Sequence, residues 1–186
     1  MLSPMKTLYT YFPVTFFLRI AFLLFVDVAV GILLYKRCKK NKIEKKKAIA
    51  IEVLVVYITF VLFLAVLSRR SLEYYRFGMG ICEYYSSLFR YRTEVDMLEL
   101  VLNIAVFVPV GAISYMAFYR LKLIKAVLTG FCLSSVIELS QLVLRCGYVS
   151  GVDIIHNTLG AVIGALLSLL VIGAIKKIRN RKKAVN

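Results

Sequence analysis

Carboxylates are scarce in this chain: ten Asp and Glu stand against 25 Lys and Arg, and only 19% of the 186 residues carry charge. So thin a polar surface cannot clothe a soluble domain, because 61% of the residues are hydrophobic and the mean hydropathy is +0.81. Cysteine is sparse and unpatterned: Cys38, Cys82, Cys132 and Cys146 form no CxxC pair, which signals neither a zinc site nor a disulfide framework. Cys82 and Cys146 can fall on one side of a membrane and pair there, but free thiols are the favoured reading. No small-residue cleavage site closes the first apolar run, residues 12–35, so that run reads as a retained helix rather than a leader.

What the chain does have is length of apolar sequence. A helix needs ~20 apolar residues to cross a ~30 Å hydrocarbon core. Residues 12–35, 49–67, 100–119, 123–144 and 152–175 meet that need, the third broken by Pro109. The expected fold is all-α, an integral membrane bundle of about five transmembrane helices. Residues 1–67 hold two helices and a basic loop, and residues 68–99 form an extracytoplasmic loop rich in Arg and Tyr. A second unit of three helices spans 92–175, and 176–186 is a basic tail.

Net charge is +15, and its location decides what it means. Residues 36–47 carry eight basic side chains, 120–125 three and 176–183 six. Basic loops stay on the cytoplasmic side, which puts the N-terminus out and the C-terminus in. The outer Lys and Arg are then matched by acidic residues, and the whole net charge faces inward. Topology and anionic lipid account for it, so no nucleic-acid partner is expected. The loop at 68–97 interleaves seven Tyr and Phe, among them Tyr84 and Tyr85, with five Arg and no Lys. It reads as an interfacial helix or loop, and its arginines suit lipid phosphate.

In this topology several polar residues arrive at one depth near the outer surface. They are Asn103 on the third span, Glu138 and Gln141 on the fourth, Arg145 just beyond, and Asp153, His156 and Asn157 on the fifth. Glu138 and Gln141 share a helix face at i, i+3, and so do Asp153, His156 and Asn157. A carboxylate at lipid depth is costly unless it faces the bundle interior or a partner. Blander roles stay open: Asn103 as an interhelical hydrogen bond, Glu138 with Arg145 as an ion pair, Asp153 as a helix cap, and His156 as a packed histidine. Gly160 and Gly164 form a small-residue stripe explained by packing. Arg19 can snorkel outward, whereas Asp27, about mid-membrane, needs a partner.

Three segments carry a resemblance. Asn103-Ile104-Ala105-Val106-Phe107-Val108-Pro109-Val110-Gly111, then Glu138-Leu139-Ser140-Gln141 with Arg145, and then Asp153-Ile154-Ile155-His156-Asn157-Thr158-Leu159-Gly160-Ala161 resemble the VanZ-like family over about residues 92–172. The family pattern has further aspartates shortly before Asp153, where this chain carries Ser150 and Val152. The resemblance implies a protein of the kind linked to resistance against teicoplanin-type lipoglycopeptides, and similarity to membrane proteins that act on lipid head groups.

Three functions follow as alternatives. In the first, the chain is a lipid head-group hydrolase or transferase of the cell membrane, acting on membrane lipids or lipid-linked cell-wall precursors. Glu138 or His156 is then general base, Asp153 orients His156, Arg145 and Arg92 hold phosphate, and Asn103, Gln141 and Asn157 position it. No metal or cofactor is assigned. In the second, the same pocket binds a head group or antibiotic without chemistry. The third is a small transporter with Asp27 as relay.

Overall fold

The computed structural model describes residues 14–67, 78, 80–91, 94–118 and 121–185. Among them no strand forms, and the chain is built of helices: α1 (Val14–Lys39), α2 (Lys45–Leu62, ending in a π-helical turn Phe63–Leu67), α3 (Ile81–Tyr91), α4 (Glu94–Ala117), α5 (Lys122–Leu144) and α6 (Gly151–Val185). Five of these, all but α3, are long and apolar enough to cross a membrane. The expected spans are therefore present, with two differences. Pro109 lies inside a continuous α4 instead of breaking it; its missing N–H and ring clash are tolerated in membrane helices whose neighbours compensate. Helix α6 runs on through the basic stretch to Val185, because Lys and Arg are good helix formers and suit a helix C-terminus.

Helices α2, α4, α5 and α6 form the bundle, and α1 packs on α2 at its edge. Helices α4 and α6 make the most extensive contact. Glycine explains why. A methyl group on Gly160 would overlap the Ile104 carbonyl oxygen, one on Gly164 would overlap the Val108 carbonyl oxygen, and one on Gly111 would overlap the Ala161 carbonyl oxygen. The two backbones touch, so the small-residue stripe read from the sequence is the α4–α6 seam. Ser168 hydroxyl donates to the Ala112 carbonyl at 3.2 Å farther along the same seam. Around it, Val61, Val66, Phe107, Val110, Leu133, Ile137 and Cys146 form the main apolar core.

The end of α2 is tied down by side chains from two other helices and a turn. The last carbonyls of a helix have no partner within it, and within lipid they must find one elsewhere. The Ala65 carbonyl accepts from Gln141 Nε2 at 3.0 Å, and the Leu67 carbonyl accepts from Arg19 Nη1 at 2.7 Å. Cys146 Sγ lies 3.7 Å from the Val66 carbonyl oxygen. Arg19 thus has a defined partner. Asp27 has one too: the Thr59 hydroxyl lies 3.1 and 3.2 Å from its two carboxylate oxygens, across the α1–α2 interface.

The seam gives a direct test. Gly164→Ala forces two backbones apart and is expected to cost about 1–3 kcal/mol, the usual penalty for overpacking. Gly173→Ala on the same helix meets nothing within 4 Å and is expected to leave stability unchanged or slightly raised. Thermal unfolding of the two purified variants in detergent, against the parent chain, measures the difference.

Candidate functional site

The seam fixes where α4 and α6 stand relative to each other, and their polar residues follow. Asn103 Nδ2 donates to Asp153 Oδ1 at 2.9 Å. Because a carboxylate oxygen only accepts here, the amide orientation of Asn103 is set by its partner. Helix α5 approaches antiparallel to α6. Asn157 Nδ2 donates to Ser134 Oγ at 2.9 Å, and the Ser150 backbone N–H donates to Glu138 Oε2 at 2.7 Å. That amide belongs to the turn before α6.

Asn103, Glu138, Gln141, Asp153 and Asn157 line one cavity of about 170 Å³. Its apolar walls come from Val61, Leu64 and Ala65 of α2, Leu102, Val106 and Phe107 of α4, and Ile137 of α5. Glu138, Gln141 and Asn157 each keep only 5% of their surface exposed, so these polar groups sit among hydrocarbon side chains. Five of the eight residues singled out in the sequence therefore converge.

Two others, His156 and Arg145, are placed differently. His156 is 3% exposed, and its Nε2 lies 3.1 Å from the Tyr85 hydroxyl, with the rings of Tyr84 and Tyr85 beside it. It faces α3, while Asp153 faces Asn103 on α4. Three residues apart on one helix, the two side chains share a broad face but turn to different neighbours. Arg145 is exposed, at the C-terminal end of α5, rather than on the cavity wall. Its φ of 53° is left-handed, and the Cys146 N–H closes the turn on the Gln141 carbonyl at 3.0 Å. Glycine ordinarily takes that position, so an arginine there carries a backbone cost of about 1 kcal/mol. Arg92 lies outside the described residues. Among the described residues no group of three or more His, Cys, Asp and Glu gathers as a metal site, and none of the four cysteines is in a disulfide.

Two participants were not singled out as site residues. Ser134 falls on the stripe of Glu138 and Gln141 at helical spacing, a signal that could have found it. Tyr85 was one aromatic among seven, and nothing in its position marks it as the partner of a residue 71 places away.

Fold and site together define a multi-pass helical membrane protein with a polar cavity buried between its helices at one end of the bundle. A family model described as VanZ/LLP1 matches residues 53–172, more than half of the chain, and the chain belongs to that family. The match reaches back into α2 and so includes the π-helical turn whose Ala65 carbonyl holds Gln141. No curated protein and no solved structure matches the chain.

A double-mutant cycle tests the contact on which the cavity wall depends. Asn103→Ala and Asp153→Ala are each expected to destabilise, and the double variant to lose less than their sum by roughly 1–2 kcal/mol. Chemical or thermal unfolding of the four proteins measures it. Strict additivity would show that the two residues do not touch.

Proposed function

We propose that this VanZ/LLP1 protein acts at the outer face of the cell membrane on lipid head groups or lipid-linked envelope precursors. The observation that carries the reading is the cavity: five polar residues from three helices sit together among apolar walls, at the end of the bundle opposite the basic loops. A buried carboxylate at lipid depth is expensive to keep and marks a working position. Glu138 is the base of this scheme. The Ser150 amide holds one of its oxygens and fixes the carboxylate for proton abstraction. Arg145, held at a strained and exposed helix end, suits a phosphate at the membrane surface. Tolerance to lipoglycopeptides such as teicoplanin would then follow from an altered or occupied lipid target.

A second reading, binding without chemistry, is favoured by one observation. Asp153 bonds Asn103 and His156 bonds Tyr85, so the Asp–His relay expected of a hydrolase is split between two neighbours.

Two variants in proteoliposomes separate the readings. Glu138→Gln should lower head-group release or exchange, followed by lipid mass spectrometry, by about 100-fold or more if the residue is the base. Arg145→Gly should relieve the turn, raising or preserving the unfolding temperature, while weakening lipid binding. Head-group turnover untouched by Glu138→Gln would remove the enzymatic reading, and lipid binding untouched by Arg145→Gly would remove the phosphate role.

A further inference from the structure

Two residues of the cavity wall each carry a buried amide oxygen without a hydrogen-bond partner. Among the described residues neither Gln141 Oε1 nor Asn157 Oδ1 has a hydrogen-bond partner, although each belongs to a side chain 95% buried. The orientation of Gln141 is not arbitrary. Its Nε2 donates to the Ala65 carbonyl, which can only accept, so the oxygen is the atom left over. Asn157 places its amide nitrogen 2.9 Å from Ser134 Oγ and leaves its oxygen without a partner, although a hydroxyl both donates and accepts and so does not by itself fix that amide. Each residue commits one amide N–H to the scaffold and leaves its oxygen without a partner. Asn103 likewise gives its Nδ2 to Asp153, and the carboxylates of Glu138 and Asp153 lie on the same walls.

Buried acceptors demand donors, since an unsatisfied polar group in an apolar surround costs more than a hydrogen bond returns. A phosphate diester supplies none. A space of about 170 Å³ admits a group of a few heavy atoms, given that one water takes ~30 Å³ of liquid volume. We propose that this cavity takes the distal end of a lipid head group bearing N–H or O–H donors, an ammonium or a small polyol, and that phosphate is recognised elsewhere. The inference rests on the head-group reading above and specifies which part of the head group enters. It also assigns Gln141 as a selectivity residue: it reads a donor on the ligand with the oxygen that the fold leaves over.

The test compares three lipids that share acyl chains and phosphate and differ only in the distal group. The full chain in detergent micelles is titrated with short-chain phosphatidylethanolamine, phosphatidylglycerol and phosphatidylcholine, and bound lipid is counted by native mass spectrometry. Choline presents a cation of similar charge to ethanolamine but no N–H. Ethanolamine, glycerol or both should bind about tenfold tighter than choline, the worth of one hydrogen bond to a buried acceptor. The tighter of the two identifies the donor as ammonium or hydroxyl. Gln141→Met should bring the preference to within about twofold; if that variant does not fold, the parent chain's ranking decides alone. Equal binding of all three lipids, or tightest binding of choline, overturns this inference and leaves the head-group reading standing. No binding of any of the three overturns both.

Discussion

Two helices whose backbones touch set the geometry of everything polar in this molecule. At Gly160 and Gly164 there is no room for even a methyl group between α6 and α4, so neither helix can slide or rotate without losing the contact. That seam fixes the register in which Asn103 meets Asp153 at one end and Ser168 meets Ala112 along the way. Helix α5 then closes on α6 through Ser134 and Asn157, and the cavity is the space left where α2 completes the wall. Packing comes first here, and the site is its consequence.

Lipid is an unforgiving solvent for the groups so gathered. With no water to satisfy a stray amide or carbonyl, each polar side chain must pair with another or with a helix end. The π-helical end of α2 meets that need from the other direction. Its last carbonyls need donors, and Gln141 of α5 and Arg19 of α1 supply them. A single interaction, Gln141 on Ala65, therefore caps one helix, anchors another and leaves an amide oxygen without a partner beside the cavity. Asp27 belongs to the same economy of pairing: Thr59 accounts for it within the α1–α2 interface.

Much of this could be read from the residues alone, and the boundary between what could and could not is physical. Hydropathy located the five spans, because ~20 apolar residues in a row have few other uses. The common depth of Asn103, Glu138, Gln141, Asp153 and Asn157 followed from counting along antiparallel helices, and the Gly160–Gly164 stripe announced a close crossing. Pairings were another matter. Which neighbour a side chain meets depends on how each helix is rotated about its axis, and that is decided by packing on partners far away in sequence. Asp153 turned to Asn103 rather than to His156 on its own helix, and His156 found Tyr85 in a segment read as an interfacial loop with phosphate-binding arginines. Arg145 shares a helix end with the site but not its cavity, because the turn that closes α5 carries it to the surface.

The central claim is the register of α4 against α6, and cysteine cross-linking in native membranes measures it most directly. In a background without the four native cysteines, Asn103→Cys paired with Asp153→Cys should be joined rapidly by a short bifunctional thiol reagent. Asn103→Cys paired with Ile163→Cys, about 15 Å farther along α6, should not. Joining of the second pair in preference to the first would mean that the helices meet in another register, and that the cavity described above does not form.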